Sequence, residues 1–459
     1  MKIISKLWLV ALALVASANR GPAQGTLDPD FNTGSGAEAA VQTLAVQSDG
    51  KIVAAGLFEY INGTTNSLGI ARLNTNGVVD SSFNPGTSVD AGISSVAVQP
   101  DGNIILGGGF TTYQGASRNG ITRINSNGSR DDTFNPGIGV DNIIISVALQ
   151  PDGKVLIGGG FTSYNGTPRS GIARVNTNGT LDVTFNPGTG VDAYARSVVL
   201  QSDGKILLAG GFTTYNGVQR RGVTRINTNG LRDDTFNPGA SVDDQILVVR
   251  AQPDGKVLIG GDFTTFKGIS RNRIARLNAN GTLDETFNPG TGADDTVFTL
   301  SLQPNGKVLV GGSFTTMDGA SFNRMARLLP DGALDTNFNP GTGANDSILA
   351  MALQPDGKVV LGGQFTDFDN APYVHLARLL LSDPAETPVI TSIAPLGPDV
   401  TLAWNSIENG IYRVEVASSM TTPSWNALTN VTSTAKTASV TDNQATAAER
   451  YYRVGLLPW

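Results

Sequence analysis

The sequence predicts an all-β protein: a seven-bladed β-propeller of four-stranded blades, closed by its N-terminal strand and followed by a small C-terminal β-sandwich. Three observations predict it. Four sequence landmarks each recur seven times at a spacing of 51 residues, with one extra residue between Phe58 and Arg72. The 56 glycines include recurring Asn-Gly and Asp-Gly pairs, the chemistry of tight turns between short strands. The repeat array also begins with a fourth strand and ends on a third, so each end supplies what the other lacks.

In chain order, residues 1–18 read as a secretory signal, with Lys2 and Lys6 before the apolar run Leu7–Val15 and Ala16-Ser17-Ala18 as a cleavage site. No later apolar stretch is long enough to span a bilayer as a helix. Residues 26–381 hold the repeats. Their landmarks are a turn ending at Gly50, Gly102, Gly153, Gly204, Gly255, Gly306 and Gly357, then a Gly-x-Phe element ending at Phe58, Phe110, Phe161, Phe212, Phe263, Phe314 and Phe365. An arginine series follows (Arg72, Arg123, Arg174, Arg225, Arg276, Arg327, Arg378), and the fourth landmark is Phe-Asn, from Phe31 to Phe338.

One copy shows the strands. Ile144 to Gln150 alternates with period two, as a strand with two different faces does. A Pro-Asp-Gly-Lys turn leads to Lys154–Phe161, a polar loop at 162–166 to Gly171–Asn176, and an Asn-Thr-Asn-Gly turn to a short fourth strand, Leu181–Asn186. Four antiparallel strands repeated radially make a propeller. The Gly-Gly pairs of the second strand leave room for neighbouring sheets. Leu27–Phe31 would complete the last blade beside Leu376–Leu379, which removes an open sheet edge.

Residues 382–388, with Pro384 and Pro388, read as a linker. Residues 389–459 alternate as strands around Trp404 and Tyr452 and resemble a fibronectin type III-like sandwich. The run Gln-Pro-Asp-Gly-Lys-Val-Leu-Ile-Gly-Gly-Gly-Phe, with Ile-Ala-Arg-Val-Asn and Leu-Asp-x-x-Phe-Asn-Pro-Gly, resembles the delta-60 repeat family of bacterial exported proteins over about residues 26–380. The resemblance implies a β-propeller without established catalytic residues.

A net charge of −7 disfavours nucleic acid, whose phosphates need a basic surface. The absence of cysteine excludes disulfides, thiol nucleophiles and thiolate metal sites. Candidate ligand-binding residues lie in the loop after Asn-Pro-Gly: Glu38, Asp90, Asp141, Asp192, Asp243, Asp294 and Asn345. If the ring closes they surround one mouth of the channel, where calcium or a hydroxyl-rich ligand would suit them. The same acids could instead cap their own loops. Arg250 stands where siblings carry Ala45, Ala97, Ala148, Val199, Ser301 and Ala352, and Arg196 occupies a neighbouring variable position. A repeat that departs from its siblings can mark use, or a pairing with Asp192 or Asp243.

The arginine series and the aspartates Asp28, Asp80, Asp131, Asp182, Asp233, Asp284 and Asp335 read as within-blade ion pairs or turn caps. The single histidine, His375, reads as drift in a surface loop, with no nucleophile motif beside it. The function expected is a monomeric, non-catalytic exported binding or scaffold protein, its partner a glycan or a protein, without a cofactor. The alternative is a metal-dependent propeller hydrolase or lactonase using the acidic mouth.

Overall fold

A computed structural model describes residues 24–63, 68–87, 89–381, 390–396, 399–406, 411–417, 425–433, 437–443 and 451–456. The expected signal at 1–18 and the linker at 382–388 lie outside these. The described residues contain strands and no helix, so none could cross a membrane as a helix.

Seven sheets of three antiparallel strands follow one another along the chain. In the third repeat the strands are Ile144–Leu149, Val155–Gly159 and Ile172–Val175, with the second strand in the middle. That middle strand is buried along its whole length, which is why it reads as an unbroken apolar run ending in two glycines. A Cβ on Gly158 would meet Val198 of the next repeat at 2.4 Å, and one on Gly159 would meet the Ile143 carbonyl at 2.1 Å. Only glycine permits both approaches.

Two local features differ from expectation. The fourth strand is a single bridge in each repeat, as at Val175 and Leu181. The chain turns immediately afterwards because Asp182 Oδ1 accepts from Thr184 N at 2.9 Å and Thr184 Oγ1 at 2.6 Å. A side chain that satisfies the backbone locally competes with ladder pairing. The loop at 162–166 is not open either. Ser163–Tyr164 pairs with Thr167–Pro168 as a miniature hairpin around Asn165-Gly166, both at positive φ (47° and 73°).

Each repeat's first strand lies against that of the next, and the first strand of the last repeat (Ile348–Leu353) lies against that of the first (Val41–Val46). The hydrophobic clusters also join neighbouring repeats. Leu156 and Ile172 of the third pack with Phe185, Val191 and Phe212, which lie further along the chain. Burying one such phenylalanine contributes roughly 1.5–3 kcal/mol. Val360 and Leu376 pack in the same way with Phe31, Val41 and Phe58, near the start of the chain.

At the start of the chain, Leu27 bridges Leu379, Asp28 N donates to Arg378 O at 2.8 Å, and Leu380 N donates to Thr26 O at 2.8 Å. Gly25 N reaches Leu380 O at 2.7 Å, as Gly332 N reaches Leu329 O in the preceding repeat at 2.9 Å.

Beyond residue 389 there are two three-stranded sheets. Ile390–Leu396, Asp399–Asn405 and Thr437–Asp442 form one; Asn426–Thr432, Ile411–Ala417 and Tyr451–Leu456 form the other. They contribute to one cluster centred on Leu402, Trp404, Tyr412 and Val414. Trp404 and Tyr412 meet edge to face at 5.7 Å. Tyr412, not Tyr452, is the second central aromatic; Tyr452 is half-buried and donates to Asp442 Oδ2 at 2.9 Å.

Candidate functional site

The repeated charges build the framework. Arg174 Nε donates to Asp182 Oδ2 at 2.8 Å, Lys154 Nζ reaches the same oxygen at 2.9 Å, and the guanidinium covers Phe185 at 5.0 Å. Its Nη1 donates to the Thr228 carbonyl of the next repeat at 2.6 Å. Burial pushes the Asp182 carboxyl up, but hydrogen bonds from Thr184, Lys154 and Arg174 outweigh it and hold the pKa well below the usual carboxylate range. Equivalent pairs are Arg72–Asp80, Arg123–Asp131, Arg225–Asp233, Arg276–Asp284 and Arg327–Asp335. The seventh pair is Arg378 with Asp28.

The acids after Asn-Pro-Gly hold loops of their own repeats. Asp141 Oδ1 accepts from Thr162 N at 2.8 Å and Ser163 N at 3.1 Å, and Oδ2 accepts from Thr162 Oγ1 at 2.5 Å. Asp90, Asp192, Asp243 and Asp294 take the corresponding threonines in the same way. In the seventh repeat Asn345 Oδ1 accepts from Thr366 N and Asp367 N. Glu38 accepts from Glu59 N at 3.2 Å. Partial burial raises the Asp141 and Asp243 carboxyls, yet the threonine hydroxyl and backbone N–H donors prevail and bring both down to about 2. Among the described residues no three His, Cys, Asp or Glu side chains could share a metal ion.

Arg250 and Arg196 are used differently. Arg250 Nε donates to Leu300 O on the next first strand and Nη1 to Val249 O, both at 3.0 Å. Its partners are carbonyls, not the Asp192 or Asp243 that pairing would require. Arg196 is the bulge residue of its strand, skipped between the Ala195–Gly210 and Ser197–Ala209 pairs. The same bulge carries Gln42, Ser94, Ile145, Leu247, Phe298 and Leu349 in the other repeats. Burial lowers the Arg196 pKa, while Tyr194 and Asp262 act in the opposite direction.

Around Arg196 lies a chain of polar side chains that the sequence reading missed. Tyr194 Oη donates to Gln245 Oε1, Gln245 Nε2 donates to Asp262 Oδ2 at 2.6 Å, and Thr296 Oγ1 donates to Asp262 Oδ1 at 2.5 Å. The chain links three successive repeats. Siblings of Tyr194 just before the first strand are Ala40, Gly92, Ile143, Gln245, Thr296 and Ser347. Siblings of Asp262 just after the second strand are Leu57, Gly109, Gly160, Gly211, Ser313 and Gln364. Departure from the repeat pattern, applied at these two positions, is the signal that could have found them.

Tyr194 also walls a cleft of about 310 Å³, lined on other sides by Gly211, Thr213, Arg221, Asp244 and Gln245. A Cβ at Gly211 would stand 2.7 Å from the phenol Cζ and Oη. The ring therefore rests on Gly211.

His375 is not in a surface loop. It is buried, sits at φ +63° where four repeats carry glycine, and its Nδ1 lies 2.8 Å from Ala37 O. Its position is a joint between the last repeat and the first.

Seven three-stranded sheets in one register, each with an Arg–Asp ion pair and with arginines such as Arg174 also donating to a carbonyl of the next repeat, define a repeat protein of propeller type. The chain belongs to the family described as a domain of unknown function (DUF5122) beta-propeller, which matches residues 47–83, 99–134, 150–185, 201–236, 252–287, 303–338 and 354–383. No curated protein matches it. Among solved structures it is similar to one titled "Glycoside hydrolase" (12% identity, 93% of this chain and 96% of that one, TM-score 0.25). A xylan beta-1,4-xylosidase from Bacillus Halodurans C-125 has 11% identity over 85% of this chain and 74% of that one, TM-score 0.27. The V. cholerae biofilm matrix protein Bap1 has 15% identity over 95% and 65%, TM-score 0.26. At these scores the likenesses carry no argument about function.

Proposed function

We propose that the protein is a non-catalytic, exported binding or scaffold module: a seven-bladed ring closed by its own N-terminal segment, carrying a C-terminal fibronectin type III-like sandwich. One observation carries the non-catalytic reading. The charges repeated through the array are spent on the framework, as Arg–Asp–Lys clusters within blades and as carboxylates tied to their own loops. A catalytic carboxylate or metal ligand has to leave lone pairs for substrate or ion, and each of these aspartates already turns three or more of its roughly four acceptor sites to protein donors.

Closure is supported by residues 25–31 taking the hydrogen bonds, the ion pair and the aromatic contact that a fourth strand takes elsewhere. The pairing order of the two C-terminal sheets and their shared Trp404–Tyr412 centre support the sandwich. The basic start, apolar run and small-residue site at the beginning of the chain support export.

The test is to assay purified protein against ester, lactone and glycoside substrates with calcium and with chelator, following the melting temperature in parallel. The reading requires no turnover and no calcium-dependent shift. Calcium-dependent hydrolysis lost on Asp141→Asn or Asp243→Asn would establish the hydrolase instead.

A further inference from the structure

We infer that the cleft between the fourth and fifth repeats, walled by Tyr194, is a binding site for a neutral carbohydrate, a pyranose ring stacking on Tyr194 with its hydroxyls read by Gln245, Asp244 and Arg221. This inference rests on the binding-module reading above and gives it a place and a ligand class.

The cleft exists because one repeat departs from its siblings. Residue 194 is the only aromatic residue at its position in the seven repeats. Gly211 makes room for the ring, since any Cβ there would overlap the phenol. The hydroxyl end of the ring is also held by the bond from Tyr194 Oη to Gln245 Oε1, and Gln245 is fixed in turn by Asp262, which Thr296 also holds. Such a chain immobilises a half-exposed aromatic before any ligand arrives, which lowers the ordering cost of binding. An aromatic face is a stacking surface for the C–H face of a sugar, and side-chain amide, carboxylate and guanidinium groups match the paired donor and acceptor character of hydroxyls.

Charge decides between neutral and anionic ligands. Arg221 and Asp244 stand on the same cleft with opposite signs, and both are exposed. Arg221 already donates to the Asp243 carbonyl, and Asp244 Oδ1 accepts from Gln245 N. The local charge balances, and the chain as a whole carries −7, a field that repels polyanions. The volume, about 310 Å³, falls at the lower end of the ~300–1,000 Å³ usual for small-molecule sites.

Calorimetric titration of the purified protein with hexasaccharides of glucose, xylose, mannose and N-acetylglucosamine, with hexagalacturonate as the anionic comparison, tests this. At least one neutral hexasaccharide should bind saturably. Tyr194→Ala should weaken it at least tenfold, Asp244→Ala severalfold, and Tyr194→Phe much less than Tyr194→Ala. Ile143→Ala, the counterpart in the third repeat, should leave the affinity unchanged. Asp244 is exposed, so its variant keeps the test valid if Tyr194→Ala melts early. Undiminished binding in both Tyr194→Ala and Asp244→Ala would overturn the site while leaving the protein a binding module. Binding of hexagalacturonate alone would overturn the ligand class, and no binding by any of the five would overturn the inference.

Discussion

Asp28 Oδ2 lies 2.8 Å from Arg378 Nε, although 350 positions separate the two residues. Lys358 Nζ reaches the same oxygen at 3.0 Å, and the Arg378 guanidinium stands 4.5 Å from the Phe31 centroid. Arg378 Nη1 also donates to the Thr75 carbonyl of the first repeat, just as Arg174 donates to Thr228. The contacts that tie one interior repeat to the next thus recur between the last repeat and the beginning of the chain.

Asp28→Ala should therefore cost as much as an interior break such as Asp182→Ala, about 3–5 kcal/mol each, because either leaves a buried guanidinium without its carboxylate. Urea unfolding of the two variants checks this. A terminal strand that merely rests on the ring would make Asp28→Ala nearly silent.

Stability should fall in acid. The folded pKa values of Asp80, Asp182, Asp233 and Asp284 are depressed below the model-peptide range, and those of Asp141 and Asp243 are brought to about 2. A depressed carboxylate contributes stability fully above its unfolded pKa, near 4, and loses it as pH drops through the folded value. The melting temperature should be flat from about pH 8 to 5 and descend steeply between about 4 and 2. A profile already falling between pH 7 and 5 would point to a different group.

The loop clamps should be modest individually. Asp141→Ala removes three hydrogen bonds at an exposed site, so a loss of about 1 kcal/mol is expected, with faster amide exchange confined to Thr162–Tyr164. Exchange that accelerates throughout the repeat would show a larger structural role.

Trp404→Ala should unfold the two C-terminal sheets and spare the repeats. The side chain is fully buried at the centre of their cluster, so its removal costs roughly 3–5 kcal/mol. Calorimetry should resolve two transitions, of which only one moves. A single transition moving as a whole would show that the units unfold together.

The period, the strand order within a repeat and the Arg–Asp pairing were legible because each is imposed seven times, so accidental patterns cancel. The offset between Leu27 and Leu379 was legible for the same reason: a missing landmark is conspicuous only against a strict repeat. The short fourth strand was misread at Leu181–Asn186, where the Asp182 side chain competes with the ladder for backbone groups. The acids from Glu38 to Asn345 were located correctly on their loops, but residue type alone does not say that Thr162 and its counterparts occupy them. His375 was misplaced because a residue at φ +63° facing Ala37 O is defined by a contact across the sequence ends. Tyr194, Gln245 and Asp262 are not legible in the period because they flank the strands at positions that vary among the repeats, and the bonds that join them cross from one repeat to the next.

Ring closure by the N-terminal segment is the central claim, and a disulfide tests it most directly. Leu27 and Leu379 are directly opposed, with the flanking hydrogen bonds running from Asp28 N to Arg378 O and from Leu380 N to Thr26 O. That is the closer class of antiparallel pair, within reach of an S–S bond. The chain has no cysteine of its own, so Leu27→Cys with Leu379→Cys gives one unambiguous cross-link. Mild oxidation of the folded variant should form it intramolecularly and nearly completely, and should raise the melting temperature over the reduced form. Loop entropy for a ring of this size amounts to roughly 5–6 kcal/mol. Two thiols that stay free and fully reactive after oxidation, or a cross-link between molecules, would contradict a ring closed by its own beginning.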